Sequence, residues 1–349
     1  MKEYSFLNKL FKDKDILYIP IISCINRDTN EYNLSADGNV NRFITTFSIC
    51  NSYKSLTIAL PSKHIKGSEK IVQDFAIDNN VNIIWCNNFG IHAGEQRNDD
   101  NVVKDIFYDV ANIKCDICIF ESQKLGISLM LGKESSNSVI HIFWNPVSKT
   151  DTKTRIFLEG YEDINSKIMS RVDYTIVASP DQIKYYHEYE NSLIYLDKLI
   201  DRKLSYFDYN IDKEIIDKYS NYNGDIFYLP FRLTDEGYKF DKVLEYINKN
   251  HTDNYIILYS DPNNSHTIDK LDSEIKERFI KVDSSRDTYY TILDYTNCII
   301  PYFEDLEFIN HAAIHEFMDD RSKCKVILYN QNNNPYNVNN CNRIINICF

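Results

Sequence analysis

Short apolar runs of strand length alternate with helix-length polar stretches along the whole of this 349-residue chain, and few folds accept that order. In the first half the runs fall at 16–24 (ILYIPIISC), 56–60 (LTIAL), 82–86 (NIIWC), 116–120 (DICIF), 138–143 (SVIHIF) and 174–178 (YTIVA). They are rich in β-branched and aromatic residues, which suit a pleated, packed surface. Helices are expected between them at 39–50, 67–78, 101–112, 154–171 and 180–190; Ser179-Pro180-Asp181 supplies a capping hydroxyl and a first-turn proline for the last. The second half repeats the grammar, with strands expected at 226–229, 255–259, 279–282, 297–300, 325–328 and 344–348, and helices at 236–249, 268–276, 287–294 and 308–320. Near-continuous apolar strands separated by helices imply parallel sheets covered on both faces. The fold class read from this is α/β, with two Rossmann-like domains facing a cleft.

The length suits two domains better than one. Residues 197–223 are polar, charged and Tyr-rich without a clear strand, so they read as a linker between an N-terminal domain, 1–196, and a C-terminal domain, 224–349. The halves are not sequence repeats, and the Asn-rich stretch 330–342 reads as a loop. A cleft between two such domains is a usual place for a small-molecule site.

Composition narrows the function classes. With 43% hydrophobic and 26% charged residues the chain is an ordinary globular protein. Its net charge of -12 argues against coating nucleic acid by bulk charge. No apolar run is long enough for a membrane-spanning helix, and the charges interspersed in MKEYSFLNKLFKDKD do not suit a signal peptide. Most of the nine cysteines sit in apolar runs, as reduced core thiols of a cytoplasmic protein would. The wealth of Tyr, Phe, Ile, Asn and Lys suggests an AT-rich genome, viral or bacterial.

Several common site motifs are missing. No GxGxxG follows the first strand, and there is no HExxH or GxSxG. The stretch from Gly126 to Glu134 has one residue too many between its glycines for a phosphate loop, and Glu where magnesium needs Ser or Thr. Cys115 and Cys118 form a CxxC inside a strand with no second pair at zinc spacing, so they read as core cysteines.

Two stretches carry chemistry. In YLPFRLTDEGYKFDKV, Arg232 ends a strand and Lys239 lies one turn into a helix expected to begin near Asp235. Two cations beside a helix N-terminus can hold a diphosphate; the other reading is a solvated, capped helix start. In PYFEDLEFINHAAIHEFM, Glu304, Asp305, Glu307 and Glu316 cluster where a strand gives way to a helix. They can favour the helix start or accept hydrogen bonds from sugar hydroxyls. His311 and His315 are spaced i, i+4 on a helix, but no third metal ligand is evident.

Together these stretches resemble the donor-binding domain of GT-B glycosyltransferases. The resemblance implies that Arg232 and Lys239 hold the diphosphate of a nucleotide sugar, UDP-linked by preference, and that Ser260, Glu304, Glu307 and Glu316 hold its hydroxyls. Glu316-Phe-Met before KVIL is similar to the family's Glu-Ala-Met segment. The family's usual partner glutamate, eight positions earlier, would fall at Phe308, with Glu307 one residue away. The resemblance also implies an acceptor side in the N-terminal domain. Asp37 in SADGNVNRF is there a candidate base, with Gly38 permitting a close turn and Asn39 and Arg42 nearby, although an Asp-Gly turn can equally cap a helix. The loop FGIHAGEQRNDD places His92, Glu95 and Arg97 after the third strand and spends two of only nine glycines, which marks it as functional. Glu121 after the fourth strand is a further acceptor-side candidate.

The expected activity is transfer of a sugar from a nucleotide-sugar donor to a hydroxyl acceptor, with Asp37 or Glu95 as base, without cofactor or metal and therefore insensitive to chelator. The chain further resembles phage enzymes that glycosylate hydroxymethylated pyrimidines in DNA. A double-stranded DNA acceptor would require basic contacts such as Lys63, Lys66, Lys70, Arg97 and Lys104. The alternatives are a surface-glycan transferase touching the membrane through Phe6-Leu-Asn-Lys-Leu-Phe-Lys, and a degenerate scaffold that binds without catalysis.

Overall fold

A computed structural model describes residues 4–20, 22, 24–26, 28–87, 110, 113–121, 136–143, 169–177, 187–196, 202, 206, 208–231, 233, 239–250, 254–260, 265–302, 316–329 and 344–347. The chain forms two compact units, Met1–Phe207 and Asp208–Phe349, each built around one parallel sheet.

The strands of unit 1 are β1 (Asp15–Ile19), β4 (Ser55–Pro61), β5 (Val81–Cys86), β6 (Cys115–Phe120), β7 (Ser136–Phe143), β8 (Tyr174–Val177) and β9 (Leu193–Tyr195), in the order β5-β4-β1-β6-β7-β8-β9. Every pairing among them is parallel. Helices α1 (Tyr4–Phe11), α2 (Gly38–Ile49) and α3 (Lys70–Asn79) belong to the same unit. Strands β1, β4 and β6 are buried over most of their length because helices and loops cover the sheet. The core above β1 is aromatic. Tyr18 lies 5.1 Å from Phe43 and 5.3 Å from Phe47, ring to ring, and Phe11 stacks on Phe47 at 6.0 Å.

Unit 2 repeats the connectivity. Strands β10 (Asp225–Leu229), β11 (Tyr255–Tyr259), β12 (Phe279–Lys281), β13 (Cys298–Tyr302), β14 (Lys325–Tyr329) and β15 (Ile344–Ile347) lie in the order β12-β11-β10-β13-β14-β15, again all parallel. Among the described residues its main helices are α4 (Lys213–Tyr219), α5 (Phe240–Asn250) and α6 (Arg286–Tyr295), with two short helical segments at Ser265–Asp269 and Ser273–Lys276. Gly224 lets β10 start against β11: a Cβ there would run into the Asn254 carbonyl oxygen, which accepts the Asp225 N–H at 3.0 Å. Both sheets are α/β and Rossmann-like, as the alternation of elements implied.

The differences from the sequence expectations have local causes. The first strand ends at Ile19, before Pro20, and not at 24; Ile25–Asn26 instead pairs antiparallel with Glu31–Tyr32 as β2 and β3. Helix α1 was not foreseen, although its Leu7 and Phe11 are wholly buried. The segment Phe6–Lys12, weighed above as a membrane contact, is therefore core-forming, with Phe6 edge-on to Tyr174 at 5.3 Å. Part of the segment read as a linker is folded: Asp212 caps α4 by accepting the N–H groups of Glu214 and Ile215. Its other carboxylate oxygen accepts the Thr288 hydroxyl at 2.8 Å, tying α4 to α6. Tyr206, by contrast, packs on Phe75 and Asn79 in unit 1. The helices expected at 101–112, 154–171 and 180–190 lie mostly outside the described residues.

Candidate functional site

In each unit the chain reverses its direction of travel across the sheet at one place. After β1 it moves to β4 and β5, then returns to β6 on the other side; after β10 it moves to β11 and β12, then returns to β13. Two neighbouring strands whose connections run opposite ways leave a crevice at their carboxyl ends, the usual ligand position in such sheets. The two strands that begin these sheets are alike in sequence. Asp15-Ile-Leu-Tyr18-Ile-Pro20 forms β1 and its exit, and Asp225-Ile-Phe-Tyr228-Leu-Pro230 forms β10 and its exit. The halves are not repeats along their length, but each places a fully buried tyrosine beside its crevice.

At the unit 1 crevice, Glu121 is the first residue past β6. Its N–H continues the ladder to the Ile19 carbonyl at 3.0 Å, which fixes it at the carboxyl edge. It is 2% exposed, and the Tyr18 hydroxyl donates a short hydrogen bond to its carboxylate. Burial, and then the Glu121 charge, push the Tyr18 hydroxyl well above the ordinary phenol range, so it stays a donor. The guanidinium of Arg42 and the carboxylate of Asp37 both act on Tyr18 electrostatically, in opposite senses. Arg42 donates from Nε to the Gly38 carbonyl at 3.1 Å and also bonds the Asn39 side-chain oxygen. Asp37, Asn39, Arg42, Tyr18 and Glu121 thus form one cluster, although the sequence spreads them over three stretches.

Asp37 itself is a cap. One carboxylate oxygen accepts the N–H groups of Asn39 at 2.8 Å and Val40 at 3.0 Å; the other accepts Cys24 N–H at 2.9 Å, and the residue is wholly buried. That is the helix-start alternative of the sequence analysis, with the bonds that define it. Gly38 opens α2 without needing to be glycine: a Cβ would meet only Arg42 Nη2 at 3.9 Å, so the close turn expected of it is absent.

At the unit 2 crevice the key carboxylate is Glu316, which is 4% exposed. It accepts Arg286 Nη1 at 3.1 Å, the Tyr289 hydroxyl at 2.6 Å and the Tyr290 hydroxyl at 2.8 Å. Those three residues form the first turns of α6, which starts shortly after β12 ends and so stands at the sheet's carboxyl edge. Burial works against the Arg286 charge, but Tyr290 and Glu316 outweigh it and hold the guanidinium protonated. Burial, then Glu316, raise the Tyr289 hydroxyl. Ser260 follows β11 at the same edge, beside the Tyr228 hydroxyl. Lys239 does not lie inside a helix as expected. It immediately precedes α5 in a left-handed conformation, φ 49°, and its carbonyl accepts the N–H groups of Lys242 at 2.9 Å and Val243 at 3.1 Å.

Arg232, His92, Glu95, Arg97, Glu304 and Glu307 lie outside the described residues. Tyr18, Arg286, Tyr289 and Tyr290 carry no motif that marks them in the sequence, save that Tyr18 shares the DIxYxP pattern with Tyr228. The two CxxC cysteines lie along β6: Cys118 is buried, and burial pushes the Cys115 thiol up to about 11.

No protein-family model and no curated protein sequence matches the chain. Solved structures do. The S. aureus MnaA–UDP co-structure aligns over 91% of this chain and 80% of its own, with 12% identity and a TM-score of 0.53. A glycosyltransferase from Rickettsia africae ESF-5 aligns over 91% and 79%, with 14% identity and a TM-score of 0.48. A UDP-GlcNAc 2-epimerase from Neisseria meningitidis bound to UDP-GlcNAc aligns over 82% and 76%, with 10% identity and a TM-score of 0.47. The chain shares a fold with the S. aureus protein: α/β, with two Rossmann-like domains, the fold class that the resemblance to GT-B enzymes implied.

Proposed function

We propose that the protein is a glycosyltransferase that moves a sugar from a nucleotide-sugar donor to a hydroxyl acceptor. The observation that carries the reading is the position of the two polar clusters: each buried carboxylate stands at the carboxyl edge of its sheet, where the strand order reverses. In this reading unit 2 binds the donor. Arg232 and Lys239 stabilise the charge that develops on the diphosphate as the glycosidic bond breaks. Glu316 faces donor hydroxyls, with Ser260 beside it and Glu304 and Glu307 in the segment before it.

Unit 1 takes the acceptor. Asp37 has both oxygens engaged, one as the cap of α2 and the other with the Cys24 N–H, so we assign the base to Glu121, with Glu95 as the second candidate. The carboxylate accepts the acceptor hydroxyl's proton while that oxygen attacks the sugar carbon, and the leaving electron pair passes to the diphosphate. UDP is the first nucleotide to test, because the S. aureus protein of like fold was solved with it. No metal is required in this reading, and transfer is expected to persist in chelator.

For the acceptor we propose a hydroxymethylated pyrimidine in duplex DNA. Lys63 and Lys66, exposed between β4 and α3, would meet phosphates. The surface-glycan alternative loses its membrane contact, since Leu7 and Phe11 are core residues.

The test is a melting curve with UDP, GDP and UDP-sugars, followed by transfer assays on hydroxymethylated DNA. A ligand at a hundred times its Kd adds about 2.7 kcal/mol, which such a curve resolves. A shift with one nucleotide, lost in Arg232→Ala, is the expected result. No shift with any of them sinks the donor reading and leaves the degenerate scaffold. Epimerised UDP-sugar, or free sugar without acceptor product, replaces transfer by another reaction on the same donor.

A further inference from the structure

The two matched strands place the same side chain in different company. Tyr18 on β1 and Tyr228 on β10 occupy the fourth position of DILYIP and DIFYLP, next to the crevice of their sheets, and both are fully buried. Tyr18 donates a hydrogen bond from its hydroxyl to Glu121, which extends β6 beyond Phe120, the residue paired with Ile19. In unit 2 the pairing of Ile226 with Cys298 and Phe227 with Ile299 carries the register on to Tyr302 at the place of Glu121. The carboxylate that would serve Tyr228 is replaced by a tyrosine, whose ring packs on Phe231 and Phe317. The Tyr228 hydroxyl is buried and makes no hydrogen bond of normal geometry to the described residues, and Ser260 is the one side chain near enough to favour its charged form by a hydrogen bond.

A buried hydroxyl without a partner is a standing cost to the folded state, and phenylalanine would fill the same space without it. Nor is the hydroxyl lost in an apolar core. Ser260, the first residue past β11, lies beside it, and the charges of Arg286 and Glu316 both act on it. The Tyr289 ring is 6.2 Å from its own. Since Ser260 stands beyond the strand ends, the Tyr228 hydroxyl reaches the carboxyl edge of the sheet and the polar cluster there.

We infer that the Tyr228 hydroxyl is a ligand-binding group, kept for a hydrogen bond to a bound nucleoside diphosphate in unit 2. The assignment rests on the donor reading given above and adds a contact to it. Tyr228 is neither a cation nor a carboxylate; it would read an oxygen or nitrogen of the ligand by a single hydrogen bond and set affinity without altering charge.

Tyr228→Phe tests it in the full-length protein, with two readouts. The melting temperature without ligand is expected to stay the same or rise, because among the described residues the hydroxyl makes no hydrogen bond of normal geometry that phenylalanine would lose. The Kd for UDP, or for whichever of UDP, GDP, ADP and CDP binds the wild type, is expected to rise about tenfold, the loss of one hydrogen bond in a closed site. An unchanged Kd overturns the assignment and leaves the donor reading standing. A clear fall in the unliganded melting temperature also overturns it, since the hydroxyl would then serve the fold. A wild type that binds none of the four nucleotides removes the donor reading and this assignment together.

Discussion

Glu121 and Glu316 are both almost fully buried, and different partners keep them there. Glu316 has a cation and two phenols; removing it strands Arg286, whose side chain is 19% exposed. Glu316→Ala is therefore expected to destabilise the protein by about 3–5 kcal/mol, the penalty of breaking a buried ion pair, read from the urea midpoint. A change near zero would mean that water reaches the guanidinium readily. Tyr18→Phe removes one donor from Glu121 and is expected to cost about 1–3 kcal/mol. That contrasts with the absence of cost expected for Tyr228→Phe. Glu121 was legible in the sequence because it follows an apolar run, and Glu316 because Glu316-Phe-Met resembles the Glu-Ala-Met segment of GT-B enzymes. Their partners were not: Tyr290 is 26 positions from Glu316 and Tyr18 is 103 from Glu121, separations bridged only when the strands pair.

Among the elements, α2 shows how one residue supports two readings. Asp37-Gly38 looks alike in sequence whether the carboxylate caps or catalyses, and the choice is made by the N–H groups of Asn39, Val40 and Cys24. Asp37→Ala is expected to cost about 0.5–2 kcal/mol through the lost cap, with the Cys24 bond lost besides, and Asp37→Ser to recover the cap's share with turnover intact. Turnover abolished in a stable Asp37→Ser protein would return the base to Asp37. Helix α1 is held by burial. Phe11→Ala is expected to cost about 3–5 kcal/mol, because its ring stacks on Phe47 in the aromatic core; a loss well below that, by urea titration, would mean that α1 is dispensable. Its eight residues escaped notice because so short a helix offers only Leu7 and Phe11 as a buried stripe.

Across the whole molecule, burial sets the alkaline limit. Burial raises the Cys50 thiol to about 12, the Cys115 thiol to about 11 and the Tyr53 hydroxyl to about 12. In the unfolded chain these groups lose their protons first, near the ordinary thiol value of about 9 and phenol value of about 10. Above pH 9 the folded state therefore binds more protons, and stability falls as pH rises until about 12. Urea midpoints that stay level from pH 9 to 11 would show these groups to be open to solvent. Taken by itself, the sequence determined that the chain is α/β with parallel sheets, that it divides in two, and where most of the strands lie, because period and side-chain shape are local properties that an apolar run carries with it. Only the tertiary structure decided which strands adjoin, where each sheet reverses its order, and which phenol meets which carboxylate. Those relations depend on contacts between segments 26 to 103 residues apart, and no local pattern encodes them.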